Sequence, residues 1–423
     1  MEFGRAVHRV LSAAPARFES ALGNRSVGDP WCRPDRFPVT LNIYLDHNAT
    51  TPLHPQVAEK MHQCLQGAAP ANPSSLHRHG RDARKILDDA RDQLSSLLAV
   101  ESSELHFTSG GTESNNLAIQ GLAPIDAPLF VGATEHPSVL EPARQQWQQG
   151  RPGGVLEVDS SGKIGDFEVV NGALYSIQWI NNETGISQEI SKLAGQIHDG
   201  GGRLHIDGAQ GFFRIPMTIP ELSVDAATIT AHKSFGPVGA GALWVRKGLL
   251  IDPLLRGGPQ EKKIRPGTEN LLSITGLGEL ARVARSTPLW DLVALRLARE
   301  ALLLPLQEIP DCKIIPQQED DWPGCVHVSF RGIHAETLLV RLDMEGISAS
   351  SGSACSSGAR EPSHVLEAMG VDLDWIRGSI RLSLGPVERT PQNSVALLSR
   401  VGARIAAIVN QLRTRDFETP PGE

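Results

Sequence analysis

Six short apolar segments divide the middle of this chain: Leu105–Thr108, Pro128–Gly132, Ala173–Ile180, Arg203–Asp207, Ala226–Thr230 and Ala242–Val245. Helical or loop stretches separate them, and that alternation predicts an α/β domain built on a largely parallel sheet. Between Arg81 and Leu98, the residues Ala83, Ile86, Leu87, Ala90, Leu94, Leu97 and Leu98 recur at helical spacing, so an amphipathic helix is expected there. Gly200-Gly201-Gly202 reads as a turn ahead of the strand that ends at Asp207.

The texture changes near residue 285. A long helix (Leu289 to Leu306), a strand (Val326 to Phe330), a helix (Ala335 to Met344) and a strand (Ser379 to Leu384) follow. A last helix repeats Val395, Leu398, Val401, Ile405, Ile408 and Leu412 every three or four residues. A chain of 423 residues exceeds what one core usually supports. The expected division is therefore a poorly ordered extension at 1–38, a large domain at 39–284, a smaller α+β domain at 285–413 and a tail at 414–423.

Net charge of −8 and the absence of a basic cluster give no footprint for nucleic acid. No apolar run reaches the roughly 18 residues of a membrane helix, so no membrane association is expected. Cys32, Cys64, Cys312, Cys325 and Cys355 form no CxxC pair and no zinc-type spacing, and their number is odd. That usage fits a reducing, cytoplasmic setting and no metal site. Residues 1 to 38 carry six arginines but also Glu19, Asp29 and Asp35, and they lack the apolar core of a secretory signal.

Three stretches carry chemistry. The first is Thr230-Ala231-His232-Lys233, with Asp207 closing an earlier strand in Leu204-His205-Ile206-Asp207-Gly208-Ala209-Gln210. A lysine amine and a carboxylate at neighbouring strand ends suit pyridoxal 5'-phosphate: the amine holds the aldehyde as a Schiff base, and the carboxylate keeps the pyridine nitrogen protonated. Taken alone, the His-Lys dipeptide also reads as an ordinary surface loop. The second stretch, Thr108-Ser109-Gly110-Gly111-Thr112-Glu113-Ser114-Asn115-Asn116, follows an apolar strand and opens a helix. Glycines admit an anion close to the backbone, hydroxyls donate to it, and the helix N-terminus points at it. It has neither the Walker ending nor the G-x-G-x-x-G spacing, and a glycine turn without a ligand is the alternative. The third, Ala349-Ser350-Ser351-Gly352-Ser353-Ala354-Cys355-Ser356-Ser357-Gly358, is a run of small residues around one thiol. Such a run buries little apolar area, so a loop presenting Cys355 is expected, with an incidental cysteine as the alternative.

Together with Leu45-Asp46-His47-Asn48-Ala49-Thr50-Thr51-Pro52 and Asn72-Pro73-Ser74-Ser75, these motifs resemble the cysteine desulfurase family, of the class V aminotransferase-like, fold-type I pyridoxal phosphate enzymes. The resemblance runs from about Leu41 to about Arg413. It implies a large domain with a mainly parallel, mixed seven-stranded sheet and a smaller α+β C-terminal domain. It implies that Lys233 is the Schiff-base lysine, Asp207 the pyridinium partner and Gln210 a donor to the ring hydroxyl. His136 resembles the histidine that stacks on the ring and moves protons. Gly111, Thr112, Thr230 and His232 resemble phosphate ligands, and Thr268 resembles the threonine that reaches the neighbouring subunit's phosphate in a homodimer. Asn182 resembles the asparagine near ring hydroxyl and substrate, Arg381 the clamp on the substrate carboxylate, and Cys355 the persulfide-forming cysteine. An arginine fork suits a carboxylate because it donates bidentately.

The implied reaction converts L-cysteine to L-alanine and passes sulfur through Cys355 to an acceptor protein, such as an iron–sulfur scaffold or a sulfur carrier. The Cys355 context resembles the housekeeping iron–sulfur group. Selenocysteine lyase or a related β-lyase shares the 109–116 run, and an idle scaffold subunit keeping the fold is the rival from outside enzymology.

Overall fold

Every residue of Leu174–Gln178, Ala226–Thr230 and Gly241–Val245 is buried, which requires cover on both faces of the sheet they form. The protein is described here from a computed structural model covering residues 42–67, 71–315, 318–352, 362–386 and 391–416. Its strands in chain order are β1 (Ile43–Tyr44), β2 (Leu105–Thr108), β3 (Leu129–Gly132), β4 (Gly153–Leu156), β5 (Leu174–Gln178), β6 (Arg203–Asp207), β7 (Ala226–Thr230), β8 (Gly241–Val245), β9 (Cys312–Ile314), β10 (Cys325–Phe330), β11 (Ile347–Ser348) and β12 (Ser379–Ser383).

The large sheet has the order β2-β8-β7-β6-β5-β3-β4. From β7 to β4 all neighbours are parallel, and β8 runs antiparallel to both β7 and β2. This is the mainly parallel, mixed seven-stranded sheet that the resemblance implied. Alternation along the strands divides the core. Ala242 and Trp244 join the cluster that contains Leu87 and Leu94 of helix Arg78–Leu98 and Leu277 of helix Leu271–Ser286. Leu243 and Val245 join Leu117 and Val139, from helices Gly111–Gly121 and Pro137–Gln148.

The second sheet is antiparallel, in the order β12-β10-β9. The start of the described chain pairs with this part of the molecule: β1 runs parallel to β11, Ser383 N donates to Leu45 O, and His47 N donates to Ser383 O. Asn48 is thereby carried to the base of the large sheet.

Boundaries move where caps set them. His77 Nδ1 accepts from Gly80 N at 3.2 Å, so the helix expected from Arg81 starts at Arg78. Asp291 Oδ1 accepts from Ala294 N at 3.0 Å, and the helix expected from Leu289 starts at Leu292. The strand β4 escaped the sequence reading because its Gly-Gly-Val-Leu segment is a half-exposed edge with little apolar signal. Within the last helix, Val395–Thr414 is long and apolar enough to cross a membrane, although Arg400, Arg404 and Arg413 interrupt the run. Val401, Ile405, Ile408 and Val409 of that helix are fully buried in the core they share with Leu302 and Leu306 of helix Leu292–Gln307. The two helices touch closely: a Cβ at Gly402 would stand 2.3 Å from the Leu302 carbonyl oxygen.

Burial holds several histidines neutral. It pushes His205 and His327 down to about 3 and His106 down to about 4. In the unfolded chain a histidine protonates near pH ~6.5. On acidification the unfolded state therefore gains protons first, and stability falls as the pH drops below about 6.5, the loss continuing to about pH 3. Urea unfolding should show a lower midpoint at about pH 5 than at about pH 7, with a smaller difference in His205→Gln.

Candidate active site

Parallel strands deliver their last side chains to one edge of a sheet, and here that edge is polar. Gln178 closes β5, and its Cα register partner is Asp207, which closes β6. Thr230 closes β7 and leads into His232 and Lys233. The turn after β2 opens helix Gly111–Gly121, the turn after β3 ends at His136, and Asn182 lies just beyond β5.

Asp207 is buried and held at both oxygens. Ala209 N donates to Oδ1 at 2.9 Å and Asn115 Nδ2 donates to Oδ2 at 2.8 Å. Asn115 Nδ2 also donates to Ser138 Oγ at 2.8 Å, and His136 Nδ1 lies 2.8 Å from the same hydroxyl. His136 caps helix Pro137–Gln148, its Nδ1 accepting from Ser138 N at 3.1 Å. Burial lowers the His136 pKa below the ordinary histidine value. Asp207 opposes that shift, while Lys233 and His364 add to it.

Lys233 Nζ donates to the carbonyl oxygens of Asn48 and Ala49, each at 2.8 Å. Gln210 Nε2 donates to the same Asn48 oxygen at 3.0 Å. Thr230 lies opposite Gly111, where a glycine Cβ would be 3.7 Å from the Thr230 Cβ. His232 Nδ1 stands 3.2 Å from Thr50 Oγ1, and burial, with Lys233 and Arg214 adding to it, brings its pKa down to about 4. Asn182 accepts at Oδ1 from Gln178 Nε2 and at its backbone oxygen from Asn48 Nδ2 and Arg381 Nη1, all at 3.0 Å. Arg381 is buried and pairs through Nη2 with Asp46 Oδ1 at 2.7 Å.

A cleft of about 970 Å³ reaches these groups at His136, Ser138 and Asn182, and Thr112, Glu183, Gly352 and His364 line it further. His364 Nε2 donates to Glu135 O at 3.0 Å, and the buried Glu183 carboxylate accepts from Ser363 Oγ at 2.6 Å. Burial raises the Glu183 pKa. Gly352 and Pro362 stand at the two ends of the stretch that carries Cys355; Cys355 itself lies outside the described residues. Burial pushes the thiols of Cys312 and Cys325 up to about 11, so neither is poised as a thiolate at neutral pH. Thr268 stands apart from the cleft, exposed in a crevice of about 200 Å³ with Thr108, Ser109 and Arg265. Arg265 ties that crevice to helix Gly111–Gly121 through Glu113 Oε1 at 2.9 Å.

The arrangement fits pyridoxal phosphate. Thr230 Oγ1 and Gln210 Oε1 are buried and, among the described residues, have no hydrogen-bond partner, and each lies beside residues that a bound cofactor would touch. Gly110 caps helix Gly111–Gly121 without a side chain, leaving the first backbone N–H groups to an anion. Among the described residues no group of histidine, cysteine or carboxylate side chains could hold a metal ion.

Residues 43–393 match the aminotransferase class-V family. The chain belongs to that family. A cysteine desulfurase of Nostoc sp. is 38% identical over 382 residues, covering 88% of this chain and 94% of its own. A NifS-like protein from Rickettsia africae superposes with a TM-score of 0.76 at 30% identity, over 87% of this chain and all of its own. A structure of SspA in complex with cysteine superposes with a TM-score of 0.72 at 29% identity, over 82% of this chain and all of its own. Within the class V aminotransferases, the chain is thus a member of the cysteine desulfurase family.

Sequence reasoning missed Asn48, Asn115, Asp46, Arg214 and His364. The first three sit inside motifs already quoted, but only the folded chain shows Asn115 on Asp207 and Asn48 under Lys233. One consequence can be measured. Asp207 is the neighbour that draws the His136 pKa upward, so Asp207→Asn should lower it further, as read by ring-nitrogen NMR of labelled histidine. An unchanged titration would show that the carboxylate does not face the ring.

Proposed function

We propose that this chain is a pyridoxal phosphate-dependent cysteine desulfurase that converts L-cysteine to L-alanine and takes the sulfur onto Cys355 as a persulfide. The observation that carries the reading is the placing of Lys233, Asp207 and His136 at neighbouring ends of the large sheet, with an uncapped helix N-terminus beside them. Lys233 would hold the aldehyde and Asp207 would face the pyridine nitrogen, with His136 against the ring. Gly111, Thr112, Thr230 and His232 would hold the phosphate, and Gln210 and Asn182 would lie near the ring hydroxyl. Bound there, the cofactor supplies an electron sink for negative charge that develops at the substrate Cα.

The remaining work falls to the chain. Arg381 orients the substrate carboxylate, assisted by the Asn182 backbone that holds its Nη1. The Lys233 amine takes and returns a proton at Cα. His136 is neutral at neutral pH and can accept the substrate's thiol or ammonium proton. The Cys355 thiolate attacks the substrate sulfur: a sulfur–sulfur bond forms, the Cβ–sulfur bond breaks, and its electron pair stays on Cβ, which is then protonated. L-cysteine and the enzyme thiol give alanine and a persulfide, with no external oxidant. The persulfide passes to a sulfur-acceptor protein such as an iron–sulfur scaffold or sulfur carrier. Thr268, exposed away from its own cleft, would serve the neighbouring subunit of a homodimer, and the cysteine usage fits a cytoplasmic setting.

Alanine and sulfide released from L-cysteine with a reductant test the reading. Lys233→Ala should lose both by a factor on the order of 10² to 10⁴. Cys355→Ala should lose sulfur transfer while keeping the absorbance of bound cofactor. Wild-type alanine production by Cys355→Ala would overturn the persulfide step, and turnover of selenocysteine with negligible turnover of cysteine would replace the substrate.

A further inference from the structure

Four residues beyond Gln210, the chain turns a guanidinium into the interior. Phe213 takes a left-handed conformation, φ 67°, which a non-glycine residue adopts only where its surroundings enforce it. Arg214 follows and is buried, at 3% exposure. Its Nη1 donates to Asn48 Oδ1 at 2.9 Å, and its Nη2 donates to Lys233 O at 2.9 Å and to His47 O at 3.4 Å. The rings of Trp290 and Trp322 lie 5.3 and 5.0 Å from its central carbon. Among the described residues no carboxylate pairs with it; Asp46 is engaged by Arg381.

A buried cation without an acidic partner is costly, and a site that retains one uses its charge or its geometry. Both act on the same neighbours here. The ionisable groups facing Arg214 are His47 and His232, whose pKa values it lowers, Cys325 of β10 and Arg381 of β12. Burial brings the guanidinium itself down only to about 9, so it keeps its charge at neutral pH. Its geometric reach is wide: Asn48, gripped at Oδ1, offers its backbone oxygen to Lys233 Nζ and Gln210 Nε2 and its Nδ2 to Asn182 O, which also holds Arg381.

We infer that Arg214 is a positioning residue: it fixes Lys233 and Asn48 from beneath, and its unneutralised charge disfavours a second positive charge on the nitrogen of Lys233. The inference rests on Lys233 being the lysine that holds pyridoxal phosphate. It assigns to one buried side chain the mechanical link between that lysine and the carboxylate clamp at Arg381, and an electrostatic setting for the lysine nitrogen.

The test is a pH titration of the bound cofactor's absorbance, with the pyridoxal phosphate dissociation constant measured by fluorescence, on wild type, Arg214→Met and Arg214→Lys. Removing the charge in Arg214→Met should raise the absorbance midpoint by about one pH unit. It should also weaken cofactor binding about tenfold. Arg214→Lys keeps the charge and should leave the midpoint near that of wild type. A folded Arg214→Met with wild-type midpoint and affinity overturns the inference, as do equal midpoint shifts in the two variants, which would mark a packing effect. Should Arg214→Met fail to fold, Arg214→Gln keeps N–H donors without the charge; an upward midpoint shift supports the inference and an unchanged midpoint overturns it. Failure of the wild type to bind pyridoxal phosphate removes the cofactor reading, and with it the ground for this one; normal binding with unmoved variants removes this inference alone.

Discussion

The parallel pairing of β5, β6 and β7 decides where the polar groups at the carboxyl ends of these strands can stand. With Gln178 opposite Asp207 and Asp207 opposite Thr228, three adjacent strands end at nearly the same height. A one-residue slip in β6 would turn Asp207 to the other face and replace it with Ile206 or Gly208. Register is held by the apolar residues before each end: Leu174 and Ala226 face one core, Tyr175, Ile177, Leu204, Ile206, Ala227 and Ile229 the other. The same burial that fixes the sheet thus fixes the carboxylate.

A buried carboxylate must then be given hydrogen-bond donors. Asp207 receives a backbone N–H from Ala209 and a side-chain N–H from Asn115. Nearby, Glu135 accepts from Gln178 N. It is fully buried, and both desolvation and the Asp207 charge raise its pKa. Glu135 precedes His136 in the chain and Asp207 reaches the same place from the end of β6, so two carboxyl groups meet beside one histidine. His136 stands between these influences: burial favours its neutral form, and Asp207 partly restores the other.

What the sequence made legible follows from how local each signal is. The strands that carry Asp207 and Thr230 are short segments rich in apolar residues that end on polar ones; Lys233 lies just beyond the second, and the Gly110-Gly111 turn just beyond Leu105–Thr108. Contacts between distant segments leave no such trace. Asn48 reaches Lys233 across 185 positions, Asp46 reaches Arg381 across 335, and Arg91 reaches Glu261 across 170. Arg214 in particular looks like a surface arginine in Gly-Phe-Phe-Arg-Ile-Pro, because nothing nearby in the chain says that two tryptophans and three acceptors await it. The edge strand β4 was lost for the complementary reason: its glycines and exposure erase the alternation that marks a strand.

The segment that opens the described chain returns to β11 and β12 and joins the two sheets. Pairing of β1 with β11, and of Leu45 and His47 with Ser383, fixes residues 46–49 between the two sheets. Asp46 then meets Arg381 on one side, and Asn48 and Ala49 meet Lys233 on the other. A short segment thus spans from the group proposed to grip the substrate carboxylate to the group proposed to hold the cofactor. Lys233 and Arg381 are therefore held by one short segment, the lysine through hydrogen bonds to Asn48 and Ala49 and the arginine through its ion pair with Asp46.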